Sequence, residues 1–382
     1  MRSAIKRFAE MTQVDEGLAH FLLQESDFDI NRALTEFFNN SNQTLPTSSN
    51  SKEVDVEVVT GVNGPQMNNK RFLIFIQKYF LNFRAYKDEE VFPSELTLIS
   101  WNVDGLDDRQ REKRFTAALY IIAKTNPEVI FLQEMVEPLM PQLNGLMSPM
   151  YNTFIQKPNC GYFCITLVSK NIKIIKDEFI PFDNTTMGRG MLIVEGIWQN
   201  LKINLLNSHL ESTADYSNAR SSQFAKCLEQ IELMTKSDET LAIFGGDLNI
   251  RDKEVNLVNL TFKFYLKVGN LPESIKDAWI EAGSQPQYRY TWDLKRNDNY
   301  AGRFGKGQPR ARFDRILFKG PPQTKVDFKL EGINRIKGPN CFVSDHFALI
   351  CRFLIKNPEN VALSDDLIIS KKSKQSDEAD EK

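Results

Sequence analysis

Between Leu241 and Asp252 an apolar run, Leu241–Phe244, is followed by two glycines and then by Asp247, Asn249, Arg251 and Asp252. Such a run reads as a buried strand that the glycines end, delivering a carboxylate, an amide and a guanidinium into one loop. Gly, Asp and Asn are also the ordinary turn residues, so this stretch alone does not separate an active site from a turn. Further stretches repeat the pattern. Leu96–Ser100 opens into Asn102 and Asp104, which share one side of an extended chain. Val129–Leu132 leads to Gln133 and Glu134, and Leu201–Asn207 leads to Ser208 and His209. Asp314 lies within the apolar segment Ala311–Phe318, and Ser344-Asp345-His346 precedes a strand predicted over Phe347–Phe353. The chain has only three histidines, and two of them, His209 and His346, stand at strand ends beside hydroxyls or carboxylates. Carboxylates and amides with no cysteine cluster select a hard, oxygen-binding cation, Mg2+ or Mn2+.

These side chains need a rigid frame. Strand, helix (about Arg109–Lys124), then a strand ending on a carboxylate is an α/β beginning, and a third strand is predicted over Phe163–Ser169 behind Gly161-Tyr162. Between Lys295 and Lys319 lie Lys295, Arg296, Arg303, Lys306, Arg310, Arg312, Arg315 and Lys319, interleaved with Tyr300, Phe304 and glycines. Basic groups hold phosphates and aromatics stack on bases, so this stretch, Arg303 and Lys306 included, is a candidate nucleic-acid surface, with a solvated glycine-rich loop as the alternative.

The 382 residues suffice for one large core plus something small. A net charge of −2 excludes a wholesale polycation, so any nucleic-acid surface is local. Five scattered cysteines fit neither a zinc pattern nor a disulfide framework. With no apolar run long enough to span a bilayer and no signal-peptide core, a reducing compartment is expected, nucleus or cytoplasm.

Five regions follow. Residues 1–42 carry apolar positions at helical spacing in three short blocks, the third (Ile30–Phe38) capped by Asp29. Residues 43–70 read as a flexible linker, and 71–93 hold an apolar helical stripe, Phe72 to Phe83, that packs on the main domain. Residues 94–356 form the main domain. Residues 357–382 are a charged, disordered tail whose Lys371-Lys372-Ser373-Lys374 cluster is a weak nuclear signal.

The first region resembles the UBA-like family in its Met11-Thr12 loop, its Phe21–Asp29 turn, and Asn31, Ala33, Leu34, Phe37 and Phe38. The resemblance implies ubiquitin binding on an apolar surface around Met11 and the end of the third helix. The main domain resembles the endonuclease/exonuclease/phosphatase superfamily through WNVDG, QE, SHLES, GDLN, FDRI and SDH in that order. It implies an α+β fold, a two-layered β-sandwich flanked by helices, preceded by the small three-helix bundle, with the site where strand ends of both sheets meet. By the same resemblance Glu134 would ligate the metal, assisted by Asp345, with Asn102 and Asp104 lining that side. Asp247 would position and deprotonate the attacking water beside Asn249. His209 and His346 would hydrogen-bond the non-bridging oxygens, Asp314 would orient His346, and Tyr162 would stand near the phosphate.

The longer strings WNVDGLD, FLQEM, SHLEST, GDLNIRD and YTWD, with the UBA-like domain in front, resemble the branch of the superfamily that acts in DNA repair. That branch releases from a DNA 5′ phosphate the tyrosine of a trapped topoisomerase II. Ser212, Arg251 and Trp292 would then contact phosphate, tyrosyl group or DNA, in an enzyme expected to be a monomer. Two departures stand out: Leu248 where a threonine is expected, and a segment, Leu257–Asn270, that looks longer than usual. Alternatives are another nuclease of the superfamily, of the abasic-site type, an RNA or lipid phosphodiesterase, or a ubiquitin-binding adaptor with a non-catalytic scaffold domain.

Overall fold

The computed structural model describes residues 94–157, 161–235, 240–258, 271–300, 307–336 and 339–355. The UBA-like bundle, linker, Phe72–Phe83 stripe, most of Leu257–Asn270, Arg303, Lys306 and the charged tail lie outside the described residues. The chain divides into two units, Met1–Asn82 with Asn334–Cys341, and Phe83–Ile333 with Phe342–Lys382; the second carries both large sheets.

The strands are β1 (Glu95–Asn102), β2 (Val129–Met135), β3 (Tyr151–Ile155), β4 (Phe163–Ser169), β5 (Lys173–Pro181), β6 (Gly190–Trp198), β7 (Leu201–Ser208) and β8 (Thr240–Asp247). They continue as β9 (Lys276–Asp277), β10 (Trp292–Asp293), β11 (Arg310–Ala311), β12 (Asp314–Lys319), β13 (Lys325–Glu331), β14 (Arg335–Ile336), β15 (Cys341–Phe342) and β16 (Ala348–Leu354). Helices α1 (Arg111–Thr125), α2 (Met140–Met147), α3 (Ser217–Met234), α4 (Asp252–Val258) and α5 (Ala278–Glu281) connect them. One sheet has the order β13-β16-β1-β2-β4-β3 and the other β5-β6-β7-β8-β12-β9. The architecture is the two-layered β-sandwich with flanking helices that the sequence implied.

Each sheet contains one parallel pair, β1 with β2 and β7 with β8. In each case a helix, α1 or α3, makes the crossover. Parallel neighbours end on the same side, so Asn102 and Glu134 leave one sheet together while the ends of β7 and β8 leave the other. The antiparallel β12 then sets its first residue, Asp314, opposite the last residue of β8, Asp247.

Burial on both faces explains the uninterrupted apolar runs. Leu241 and Ile243 of β8 and Leu205 of β7 face the core between the sheets, with Leu98, Phe131 and Phe353. Their neighbours Phe244 and Leu206 face outward against Phe224, Leu228 and Ile231 of α3. Each such side chain contributes about 1.5–3 kcal/mol on burial.

Two sequence expectations need correction. The glycines do not end the strand: β8 continues through Gly245 and Gly246 to Asp247. A Cβ on Gly245 would lie 2.2 Å from Ile316 Cδ1, and one on Gly246 1.9 Å from the Ser208 carbonyl, so these glycines keep β8 tight between its neighbours. Asp247 is therefore a strand residue rather than a loop residue. The segment Ala311–Phe318 is likewise two strands, β11 and β12, broken at Arg312-Phe313. Sequence reading passed over β3, β5, β6, α3 and β13. In α3 the signal was present, since Phe224, Cys227, Leu228 and Ile231 recur at helical spacing.

Candidate active site

Asp247 is the point where the sheets meet. Its Oδ2 accepts a hydrogen bond from Asn102 Nδ2 of the opposite sheet at 3.0 Å. His209 Nε2 lies 3.3 Å and His346 Nε2 3.7 Å from the same oxygen. Its Oδ1 accepts the backbone N–H of Asn249 at 3.1 Å, a turn that holds Asn249 at φ +50°. Burial alone would raise the Asp247 pKa, but His346 and His209 hold it below the usual carboxylate range.

The two imidazoles differ. His346 Nδ1 meets Asp314 Oδ2 at 2.8 Å, and Asp314 accepts the Thr291 hydroxyl at 2.5 Å. Burial works against the imidazolium, yet Asp314, Asp345 and Asp247 push the His346 pKa well above its ordinary value. His346 is thus a cation at neutral pH. His209 is fully enclosed, and burial with the nearby Arg189 pulls its pKa down to about 4. It is a neutral imidazole.

Around His209 lies a cationic corner. Arg189, only 5% exposed, lies 4.9 Å from the Tyr162 ring centroid, and its Nη2 is 3.4 Å from Ser212 Oγ. Its Nε has no hydrogen-bond partner, and no carboxylate lies within 4.0 Å among the described residues. Asn249 Nδ2 reaches Leu210 O at 3.3 Å and Ser212 Oγ at 3.5 Å. A buried, unpaired guanidinium is costly unless an anion meets it, so this corner suits a phosphate.

The opposite side is acidic. Asp104, Glu134, Asp345, Trp292 and Tyr300 line an open cleft of about 780 Å3. A bulge in β2 between Leu132 and Met135, with Glu134 at φ +54°, turns the Glu134 carboxylate toward Asp247 and His209, and ligand atoms of the three lie within 4.8 Å of one another. Gly105 permits this, since a Cβ there would lie 2.2 Å from the Glu134 carbonyl. Burial and Asp345 raise the Glu134 pKa to about 7, and the same causes, with Glu134 adding, raise Asp104 to about 8. Asp104 Oδ1 accepts the Tyr300 hydroxyl at 2.9 Å, while Oδ2 is buried without a hydrogen bond and lies 3.4 Å from Arg114. Carboxylates that repel one another fit a hard divalent cation.

The structure brings together Asn102, Glu134, Tyr162, His209, Asp247, Asn249, Asp314 and His346. Asp104 and Asp345 face the cleft, Asp345 accepting Trp292 Nε1 at 3.1 Å. Ser212 lies in the cationic corner. Arg251 pairs with Glu254 at 3.4 Å and lies 5.6 Å from the Phe313 ring centroid. In the basic stretch, several of the described cations hold carboxylates. Arg310 binds Asp293 and Arg312 binds Asp277, both at 2.7 Å. Arg315 binds Asp252 and Lys319 binds Glu232, both at 2.6 Å. Leu248, the departure from the expected threonine, is a core residue packed with Phe224. Sequence reading missed Arg189 and Thr291. Neither sits in a strand-end motif, and only the fold brings them to the site.

The sequence profile of the Endonuclease/Exonuclease/phosphatase family matches residues 99–346, and that of a UBA-like domain matches residues 2–44. A Caenorhabditis briggsae protein called 5′-tyrosyl-DNA phosphodiesterase is 34% identical over 350 residues, covering 91% of this chain and 89% of its own. A crystal structure of TDP2 from Caenorhabditis elegans superposes with a TM-score of 0.62 at 32% identity, covering 92% of this chain and 93% of that one. Danio rerio TDP2 complexed with single-strand DNA product has a TM-score of 0.61 at 32% identity, over 68% of this chain and 99% of that one.

Proposed function

The chain belongs to the endonuclease/exonuclease/phosphatase family, and on that premise we propose that it hydrolyses the 5′-phosphotyrosyl bond joining DNA to a trapped topoisomerase II tyrosine, leaving a 5′-phosphate. The observation that carries this reading is the polarity of the site around Asp247: carboxylates on one side, the buried Arg189 guanidinium with no carboxylate partner among the described residues on the other. A phosphodiester fits between them.

In this mechanism Asp247 orients a water molecule and takes its proton while the water oxygen bonds to phosphorus. A carboxylate held so acidic is a poor base for free water, so transfer follows the acidification of that oxygen as the new bond forms. The phosphorus–oxygen bond to tyrosine breaks, and the phenolate, whose conjugate acid has a pKa of about 10, departs with little protonation. Cationic His346, held by Asp314 and Thr291, donates to a non-bridging oxygen as charge builds. Neutral His209, Asn249, Ser212 and Arg189 hold the other phosphoryl oxygens, with Tyr162 flanking Arg189. The family is divalent-metal dependent; in this reading Glu134, with Asp104 and Asp345 along the same cleft, would hold Mg2+ or Mn2+, which would neutralise phosphoryl charge. Trp292 lines the cleft for DNA, and its ring lies 5.5 Å from that of Phe313, which Arg251 meets at 5.6 Å.

Residues 1–42 bind ubiquitin in this reading, which their UBA-like match supports. A chromosomal substrate would place its work in the nucleus.

Tyrosine release from a 5′-tyrosyl oligonucleotide at graded Mg2+ and pH tests the cation assignment. With the Glu134 and Asp104 pKa values raised to about 7 and 8, protons compete with the cation below those values. Between pH 8 and pH 6 the half-saturating Mg2+ concentration rises by about tenfold or more, because binding displaces protons. A value constant across that range places the cation elsewhere.

A further inference from the structure

Glu211, in the SHLEST string, is fully buried, and the reaction described above leaves it without a part. Its Oε2 is buried without a hydrogen bond. Its Oε1 gathers the 185–187 segment, accepting the Thr185 hydroxyl at 3.1 Å, the Thr186 hydroxyl at 3.2 Å and the Met187 N–H at 3.2 Å. The Thr186 N–H also donates to it. Thr185 Oγ1 in turn accepts the N–H groups of Met187 at 3.2 Å and Arg189 at 2.8 Å. One carboxylate and one hydroxyl thus fold the whole turn that presents Arg189.

The other half of the framework is equally fixed. The Glu211 N–H donates to Gln223 Oε1 on α3 at 3.0 Å, and its carbonyl accepts Arg220 Nη1 at 2.8 Å. Its neighbour Ser212 carries the hydroxyl that meets Arg189. Glu211 therefore joins the strand that supplies His209 to the loop that supplies the guanidinium.

We propose that Glu211 is a positioning residue: its buried carboxylate folds the 185–189 turn so that Arg189 meets the phosphoryl group beside His209 and Ser212. The proposal rests on the phosphodiesterase reading and deepens it. Arg189 has no carboxylate of its own to aim it, so the turn must do so. A charged side chain displaced by about 1 Å loses much of its effect on a transition state.

A double-mutant cycle on Glu211→Gln and Arg189→Ala tests this, with kcat/KM measured on a nitrophenyl phosphodiester and on a 5′-tyrosyl oligonucleotide. Glu211→Gln alone costs about tenfold, but less than about twofold once Arg189 is already alanine, because the two act on one interaction. Glu211→Gln also raises the inhibition constant of inorganic phosphate, and this effect too disappears in the Arg189→Ala background. Losses that multiply, or a Glu211→Gln enzyme within twofold of wild type, overturn the proposal. Should Glu211→Gln not fold, Thr185→Val enters the same cycle with the same expectation. Wild type that cleaves the nitrophenyl ester but not the tyrosyl oligonucleotide would fault the substrate assignment while leaving the cycle readable on the first substrate.

Discussion

Asp247→Asn lowers kcat by about 10³-fold or more, the range expected when a general base is removed. The amide keeps the shape but cannot take the proton of the attacking water. It also removes a negative charge that helps keep His346 protonated, so a second contribution to transition-state stabilisation weakens with the first. A structural cost accompanies both. Oδ2 accepts from Asn102 and faces His209 Nε2, while Oδ1 accepts from the Asn249 backbone, so an NH2 at either position meets a donor. One such mismatch costs about 1–3 kcal/mol of stability. The variant therefore melts somewhat earlier yet remains folded below its transition, and circular dichroism at the assay temperature separates the two effects. A folded Asp247→Asn within a few-fold of wild type would move the base to another group.

Glu134→Gln moves activity and stability in opposite directions. Losing the carboxylate nearest Asp247 on the cation side lowers turnover by about 10³-fold at modest Mg2+, since a bound cation contributes several kcal/mol to phosphoryl transfer. Stability of the cation-free protein rises instead. The folded pKa of Glu134, about 7, lies above its ordinary value of 4.5, so the folded state binds more protons between those values. The penalty is absent below about pH 4.5, grows up to about pH 7 and is constant above it. Glu134→Gln removes that penalty. In EDTA the variant should thus melt above wild type at pH 8, with the difference vanishing near pH 4. A variant less stable than wild type at pH 8 would mean that Glu134 is paired rather than repelled.

The strand-end motifs were legible because each couples a buried apolar run to a polar residue at its end, and the sandwich gathers those ends. Asn102, Glu134, His209, Asp247, Asp314 and His346 meet for that reason. What sequence could not show is pairing. Arg312 and Arg315 look like phosphate ligands in a basic stretch, but Asp277 and Asp252 reach them from segments 35 and 63 residues away. Arg189 is the converse, an arginine in a turn that becomes a buried cation beside Ser212. The Gly245-Gly246 pair misled for a related reason: glycine marks a turn in sequence, whereas here it makes room for Ile316 and the Ser208 carbonyl. Local chemistry was readable, and long-range neighbours were not.

The leaving group separates the central reading from its nearest rival. A site that relies on Asp247, two imidazoles and a cation releases a phenolate, whose conjugate acid has a pKa of about 10, far more readily than a sugar alkoxide. The direct test is the initial rate of the wild-type protein on a 5′-tyrosyl duplex and on an abasic-site duplex of the same sequence, at equal concentration with saturating Mg2+. Tyrosine release with a 5′-phosphate product, faster than incision at the abasic site by about 10²-fold or more, is the result expected from that difference in leaving-group acidity. Faster incision of the abasic duplex would contradict the assignment.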